Sequence, residues 1–214
     1  MLDDVKRDQP TQGERGQART RLARRAVVAA ARTLFLERGY AATTIEAISN
    51  FADVPPATIY RLFASKLGIV KALLDTSIAW DDQPLTVPER PNVASLFSEP
   101  DPIKLLAGFA GVTTAINQRT NDAYRVLVGA GGSDPAAAEL LNEIQHRRNR
   151  GQSQIAHALD RSRSLREGLQ EHDAVDLVHA LMSPEVYRLL VVDRSWPPDK
   201  YQQWLATTLI QQLT

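Results

Sequence analysis

The 214 residues predict an all-α protein. Three observations carry that expectation. Apolar residues recur at three- and four-residue spacings through most of the chain. No stretch of four or more residues alternates convincingly with the period of two that a half-buried strand requires. Prolines and glycines fall where helices would start and stop. A 43% hydrophobic and 23% charged composition is that of an ordinary globule, and the length fits one large domain or a small domain plus a larger one.

Residues 1–18 lack apolar periodicity and are expected to be a disordered tail. From Arg19, the stripe of Leu22, Val27, Ala30, Ala31, Leu34 and Phe35 predicts a first helix, ended by Gly39. Thr43 and Thr44 are candidate N-caps for a short second helix with Ile45, Ile48 and Ala52 inward. Asp53 and Val54 make a turn, and Pro55–Pro56 open a third helix with Ile59, Leu62 and Phe63 on its apolar side. Ser65 can cap a fourth helix. Residues 81–102, dense in proline and acids, read as a loop with one short helical turn. Helices are then expected over 102–119, 122–128, 135 to about 163, 171–182, 184–193 and 198–213. The glycine run at 128–134 is explained by a helix end, followed by Ser133 or Asp134 as N-cap and Pro135 at the first helical position. The expected organisation is a tail (1–18), a helix-turn-helix domain (19–66) and a larger helical domain (67–214).

Several function classes are disfavoured. No apolar run is long enough to span a bilayer. The polar N-terminus, MLDDVKRDQPTQGERGQ, lacks the apolar core of a secretory signal, so a cytoplasmic location is expected. There is no cysteine. The four histidines form no H-x-x-x-H pair and have no acidic cluster beside them, so neither a metal nor another cofactor is expected. No nucleophile motif appears, and an enzyme is not expected.

The net charge is zero but uneven. Arg15 to Lys66 contains nine basic residues against three acids, and that surplus suggests a polyanionic partner for the first third. Three short helices with a tight turn before a basic third one form the layout of a helix-turn-helix unit. Ile48, Ala52, Val54, Ile59 and Phe63 would set the angle between helices two and three. Pro55, Pro56, Ala57 and Thr58 make a compact tip for the major groove. Ala57 and Thr58 can meet a thymine methyl, while Tyr60, Arg61 and Lys66 are placed for phosphates.

The run RRAVVAAARTLFLERGYAATTIEAIS, followed by V-x-x-x-T-I-Y-R-x-F-x-S-K, resembles the DNA-binding domain of the TetR family of bacterial transcriptional regulators. The resemblance covers about a quarter of the chain. It implies phosphate contacts from Thr44, Tyr60 and Lys66, and a base-reading surface of Pro55, Pro56, Ala57 and Arg61. It also implies a role for Tyr40 near the helix-two entrance, and an arm of Arg19, Arg21, Arg24 and Arg25 along the phosphates or in the minor groove. Three positions depart from the family pattern. Asp53 stands where the family has glycine, Glu46 where some relatives are basic, and Leu62 where histidine is common.

The resemblance further implies a homodimer on a palindromic double-stranded DNA operator, associated through that DNA with the nucleoid, and a repressor released by a small molecule that moves helix four. The apolar segments at 180–192 and 201–213 are the expected dimer surface, with Val186, Leu189, Leu190, Trp204, Thr208 and Leu209 contributing. Trp80, Phe109, Thr113, Asn117 and Tyr124 are the candidate effector residues. No charged cluster is visible in those helices, so a neutral or weakly polar ligand is expected. Two other functions stay open: an activator or constitutive architectural binder, and a carrier or enzymatic domain bearing a DNA-binding head.

Overall fold

The computed structural model describes residues 12–78 and 91–214. Among these, every regular element is helical, and the chain divides into two compact units, Met1–Leu73 and Leu74–Thr214.

The first unit opens with α1 (Gln12–Arg38), which starts well before Arg19. The segment 12–18 contains no proline, and its Gln, Glu, Arg and Ala residues are good helix formers that carry the helix N-terminally through Gly13 and Gly16. Gly39, with φ +80°, ends it and donates its N–H to Phe35 O at 3.0 Å. Thr43 is buried and does not cap α2; its hydroxyl donates to Leu34 O and Gly39 O, tying down the turn. Thr44 is the cap of α2 (Ile45–Ala52) and accepts from Ala47 N at 3.1 Å. α3 (Pro56–Phe63) is only eight residues long, too short to persist alone, and is held by Ile59 and Phe63 in the core. α4 (Lys66–Ile78) is capped by Ser65, whose Oγ accepts from Gly68 N. Val27, Ala31, Leu34, Ile48, Ile59, Ile69 and Val70 form the centre.

The second unit has short α5 (Pro91–Ala94), continued by a 3₁₀ turn at Ser95–Ser98. Then come α6 (Pro102–Gly131), α7 (Pro135–Arg161), α8 (Glu171–Leu181), α9 (Pro184–Tyr187) and α10 (Pro198–Leu213). α6 is one unbroken helix of 30 residues where two were expected. The polar Thr120–Asn121 step does not stop it, because neither residue removes a backbone donor and Thr120 Oγ1 bonds back to Ile116 O. α6 packs on α7 and α10, and α7 on α8. Asp134 caps α7 through Ala136 N and Ala137 N, as read from the glycine run. The segment expected as a continuous helix over 184–193 changes after α9 into a π-helical turn, Arg188–Asp193. Leu106, Leu159, Tyr201, Leu205, Leu209 and Leu213 fill the core.

Candidate functional site

The α2–α3 turn is built from the backbone upward. Asp53 adopts a left-handed conformation (φ 52°, ψ 44°) and donates its N–H to Ser49 O. Ser49 Oγ, buried, donates to Val54 O at 2.7 Å. Together these bonds set the angle at which α3 leaves α2. Pro55 ends the turn in an extended conformation, and its carbonyl accepts from Thr58 N and Ile59 N to start α3. A tight corner follows α3: Ala64 has φ 62°, and Phe63 O accepts from Ser65 N. Gly68 lies against the Phe63 carbonyl, leaving no space for a Cβ.

This scaffold divides α3 into two faces. Ile59 and Phe63 point inward. Pro56, Ala57, Tyr60 and Arg61 are exposed at helical spacing, with Pro55 before them; Thr58 is half-buried. Tyr60 is 51% exposed, an unusual position for a large aromatic that had no partner to meet. Thr44 is also exposed. Its hydroxyl oxygen serves as the α2 cap, which leaves the O–H directed at no backbone acceptor of α2. Phe51, 60% exposed on α2, was not singled out in the sequence.

Two predicted contact residues are differently placed. Lys66 turns inward: its ammonium donates to Tyr40 O at 2.8 Å and Thr43 O at 3.0 Å, and lies 4.2 Å from the centre of the Tyr40 ring. It ties the start of α4 to the α1–α2 turn, a structural role that the sequence did not indicate. Arg24 Nη1 donates to Leu62 O at 3.2 Å, and its guanidinium lies 4.8 Å above the Phe63 ring. It neutralises the carbonyl end of α3, where a cation is favoured by the helix dipole. Tyr40 is buried against Phe35.

Residues 27–73 match the profile of the bacterial regulatory proteins of the tetR family. These residues are therefore a DNA-binding domain of the TetR type. The HTH-type transcriptional regulator YdeS of Bacillus subtilis is 28% identical over 182 residues, 84% of each chain. Two solved structures share the fold. NalD, the secondary repressor of the MexAB-OprM multidrug efflux pump in Pseudomonas aeruginosa, has 20% identity and a TM-score of 0.65 over 91% of this chain and 98% of its own. The MbdR regulator of Azoarcus sp. CIB has 16% identity and a TM-score of 0.66 over 90% and 99%. The chain therefore carries the DNA-binding helix-turn-helix found in TetR-type transcriptional regulators, and its fold is theirs over most of its length. No helix among the described residues is long and apolar enough to cross a membrane.

In the second unit, Phe109, Thr113, Asn117 and Tyr124 all lie on the buried face of α6. Trp80 lies outside the described residues. That face is apolar at Leu106, Phe109 and Ala110, polar through Thr113, Thr114, Asn117, Asn121 and Tyr124, and apolar again at Leu127. The expectation that no charge accompanies these residues is corrected, because tertiary packing brings Arg148 of α7 and Glu185 of α9 to the polar stretch. Tyr124 Oη donates to Glu185 Oε1 at 2.7 Å. Burial pushes the Tyr124 hydroxyl pKa up and the Arg148 pKa down, and it raises Tyr201 to about 12. A surface cleft of about 330 Å³ at the start of α6, lined by Phe97, Leu105, Leu159 and Arg161, includes none of the predicted effector residues.

Among the expected dimer residues, Leu189 is 49% exposed, and Val186, Leu190, Trp204 and Thr208 are half-buried. Leu209 is fully buried. It sits four residues from Leu205 and Leu213 on the inward face of α10, so it belongs to its own core and not to an outer surface. Val192, 39% exposed, joins Leu189 instead.

Proposed function

We propose that the protein is a homodimeric repressor that binds a palindromic operator and is released by a small molecule. The observation that carries the DNA half is the exposed face of α3, where compact Pro55, Pro56 and Ala57 sit beside Tyr60 and Arg61. Such a tip enters the major groove, Ala57 and Thr58 meet thymine methyls, Arg61 reaches guanine or phosphate, and Thr44 and Tyr60 anchor flanking phosphates. One reading helix of eight residues covers few base pairs. Two half-sites about 34–36 Å apart supply the rest, which is the reason for a dimer. Leu189 and Val192, with Val186, Leu190 and Trp204 beside them, supply an apolar surface for it. The repressor reading is supported by NalD, a repressor of the same fold.

The functional division follows: a DNA-reading head up to Lys66 and an effector and dimerisation domain after it. α4 carries the link, and a ligand that favours the non-binding spacing by several kcal/mol would empty the operator.

Selection of genomic fragments with purified protein, followed by gel shift of the recovered site, tests this reading. A short palindrome is expected, with binding that weakens steeply in salt. Tyr60→Ala is expected to lose at least tenfold in affinity with an unchanged melting temperature, since the side chain is exposed. An undiminished gel shift with Tyr60→Ala would refute the assigned reading face.

A further inference from the structure

The polar stretch of α6 is a chemically incomplete site. Asn117 Nδ2, Asn121 Oδ1, Arg148 Nη2 and Tyr201 Oη are all inaccessible to solvent and make no hydrogen bond of normal geometry, although Asn117 stands close to the Tyr201 hydroxyl and Arg148 close to that of Tyr124. Asn117, Asn121 and Tyr201 are themselves buried to more than nine-tenths. An unpartnered buried polar atom costs about 1–3 kcal/mol, and native structures hold few of them. Four in one cluster mark a place whose partners come from elsewhere.

The chemistry of the cluster selects the partner. Asn117 Nδ2 and Arg148 Nη2 can only donate, and the Tyr201 hydroxyl can donate. Asn121 Oδ1 alone must accept. Arg148 carries a positive charge and forms no ion pair within 4.0 Å with Glu185, although it lies within electrostatic reach of it. Glu185 is exposed and its Oε1 accepts from Tyr124, so its remaining acceptor capacity faces water, while the buried groups beside Arg148 are mostly donors. The surplus is of donors beside a guanidinium, which is what a planar anion with two acceptor oxygens satisfies.

We propose that this cluster binds the carboxylate of a small organic acid, with Arg148, Asn117 and Tyr201 as donors and Asn121 accepting from a neighbouring hydroxyl or N–H of the ligand. The assignment rests on the reading of the second unit as an effector domain and names its ligand class. Asn117, Asn121 and Tyr201 are buried, Arg148 is half-buried and Glu185 is exposed, so the cluster runs from the core toward the surface.

The test is calorimetric titration of the full chain with matched acids and amides: benzoate against benzamide, and octanoate against octanamide, with inorganic phosphate as a further arm. At least one acid is expected to bind tenfold or more tightly than its amide, a difference of about 1.4 kcal/mol. That preference is expected to vanish in Arg148→Gln. Tyr201→Phe guards against misfolding. It removes an oxygen that makes no hydrogen bond of normal geometry, so the melting temperature should change little while acid affinity falls severalfold. Binding of phosphate alone, equal binding of acid and amide, no binding of either at millimolar concentration, or an acid preference that survives Arg148→Gln would each overturn the proposal. Gel shift on the same preparations separates the two readings. Intact operator binding with no acid bound defeats the anion site alone. Acid binding that leaves the operator complex unchanged defeats ligand-controlled release alone.

Discussion

Replacing Lys66 by methionine separates two roles that a lysine at this position can play. Met keeps the aliphatic stem and removes the ammonium. In the structure that ammonium donates to Tyr40 O and Thr43 O and faces the Tyr40 ring. A hydrogen bond from a charged group contributes about 1.5–3 kcal/mol, and a partly exposed cation–π contact about 0.5–1 kcal/mol. Lys66 is only half-buried, and water regains part of the loss at the two carbonyls, so a net cost of about 2–4 kcal/mol is expected. For a unit of this size each kcal/mol moves the melting temperature by about 4–8 °C, so the first unit should melt roughly 8–32 °C lower without any DNA present. Lys66→Arg should recover little of this, because a planar fork does not reproduce a point charge between two carbonyls. The assay is thermal unfolding of the free protein alongside the salt dependence of operator binding. A phosphate anchor predicts the reverse pattern: an unchanged melting temperature and a salt slope reduced by about 1.8, about 0.9 for each protomer of the dimer. A Lys66→Met protein that melts with the wild type and loses that slope would refute the inward strut.

Three other outcomes follow from the geometry. Gly68→Ala places a Cβ against the Phe63 carbonyl and should cost about 1–3 kcal/mol in denaturant unfolding, with operator affinity falling alongside. Asp53→Asn keeps the left-handed residue at the turn and removes a negative charge beside the reading helix. Gel shifts at low salt should show severalfold tighter binding that fades as salt rises, with little change in melting temperature. His179, bonded to Gln152, has its pKa lowered in the folded state, first by burial and then by Arg148. The unfolded chain therefore takes up the proton first, and this contribution to stability is present above the unfolded value of about 6.5 and lost below it. Melting of the second unit measured between about pH 7.5 and about pH 5.5 should decline, and His179→Gln should flatten that decline.

Local chemistry made the head legible before any coordinates. The paired prolines, the Thr44 cap, the Gly39 stop and the Ser65 cap each act within a few residues, so spacing alone locates them. The inward bonds of Lys66 were not legible, because its acceptors lie 23 and 26 residues upstream and only the folded corner brings them together. The break expected near residue 120 came from polarity alone. Threonine and asparagine weaken a helix without interrupting its hydrogen bonds, and packing on α7 and α10 carries α6 through. The charged neighbours of Tyr124 were invisible for a related reason. Arg148 and Glu185 belong to other helices, and no window along α6 contains them. Leu209 shows the limit of an apolar stripe, which says that a face is covered but not whether its own unit or a second copy covers it.

The two faces of α3 also bear on how such a regulator changes allegiance. Pro56, Ala57, Tyr60 and Arg61 sit outside the core, while Ile59, Phe63, Ser49 and the corner at Ala64 hold the helix in place. Mutations on the outer positions are therefore nearly invisible to folding, and a lineage can sample new operators through stable intermediates. A re-targeting library confined to these four codons would keep its members folded, and diversity placed two residues further along the chain would mostly be lost.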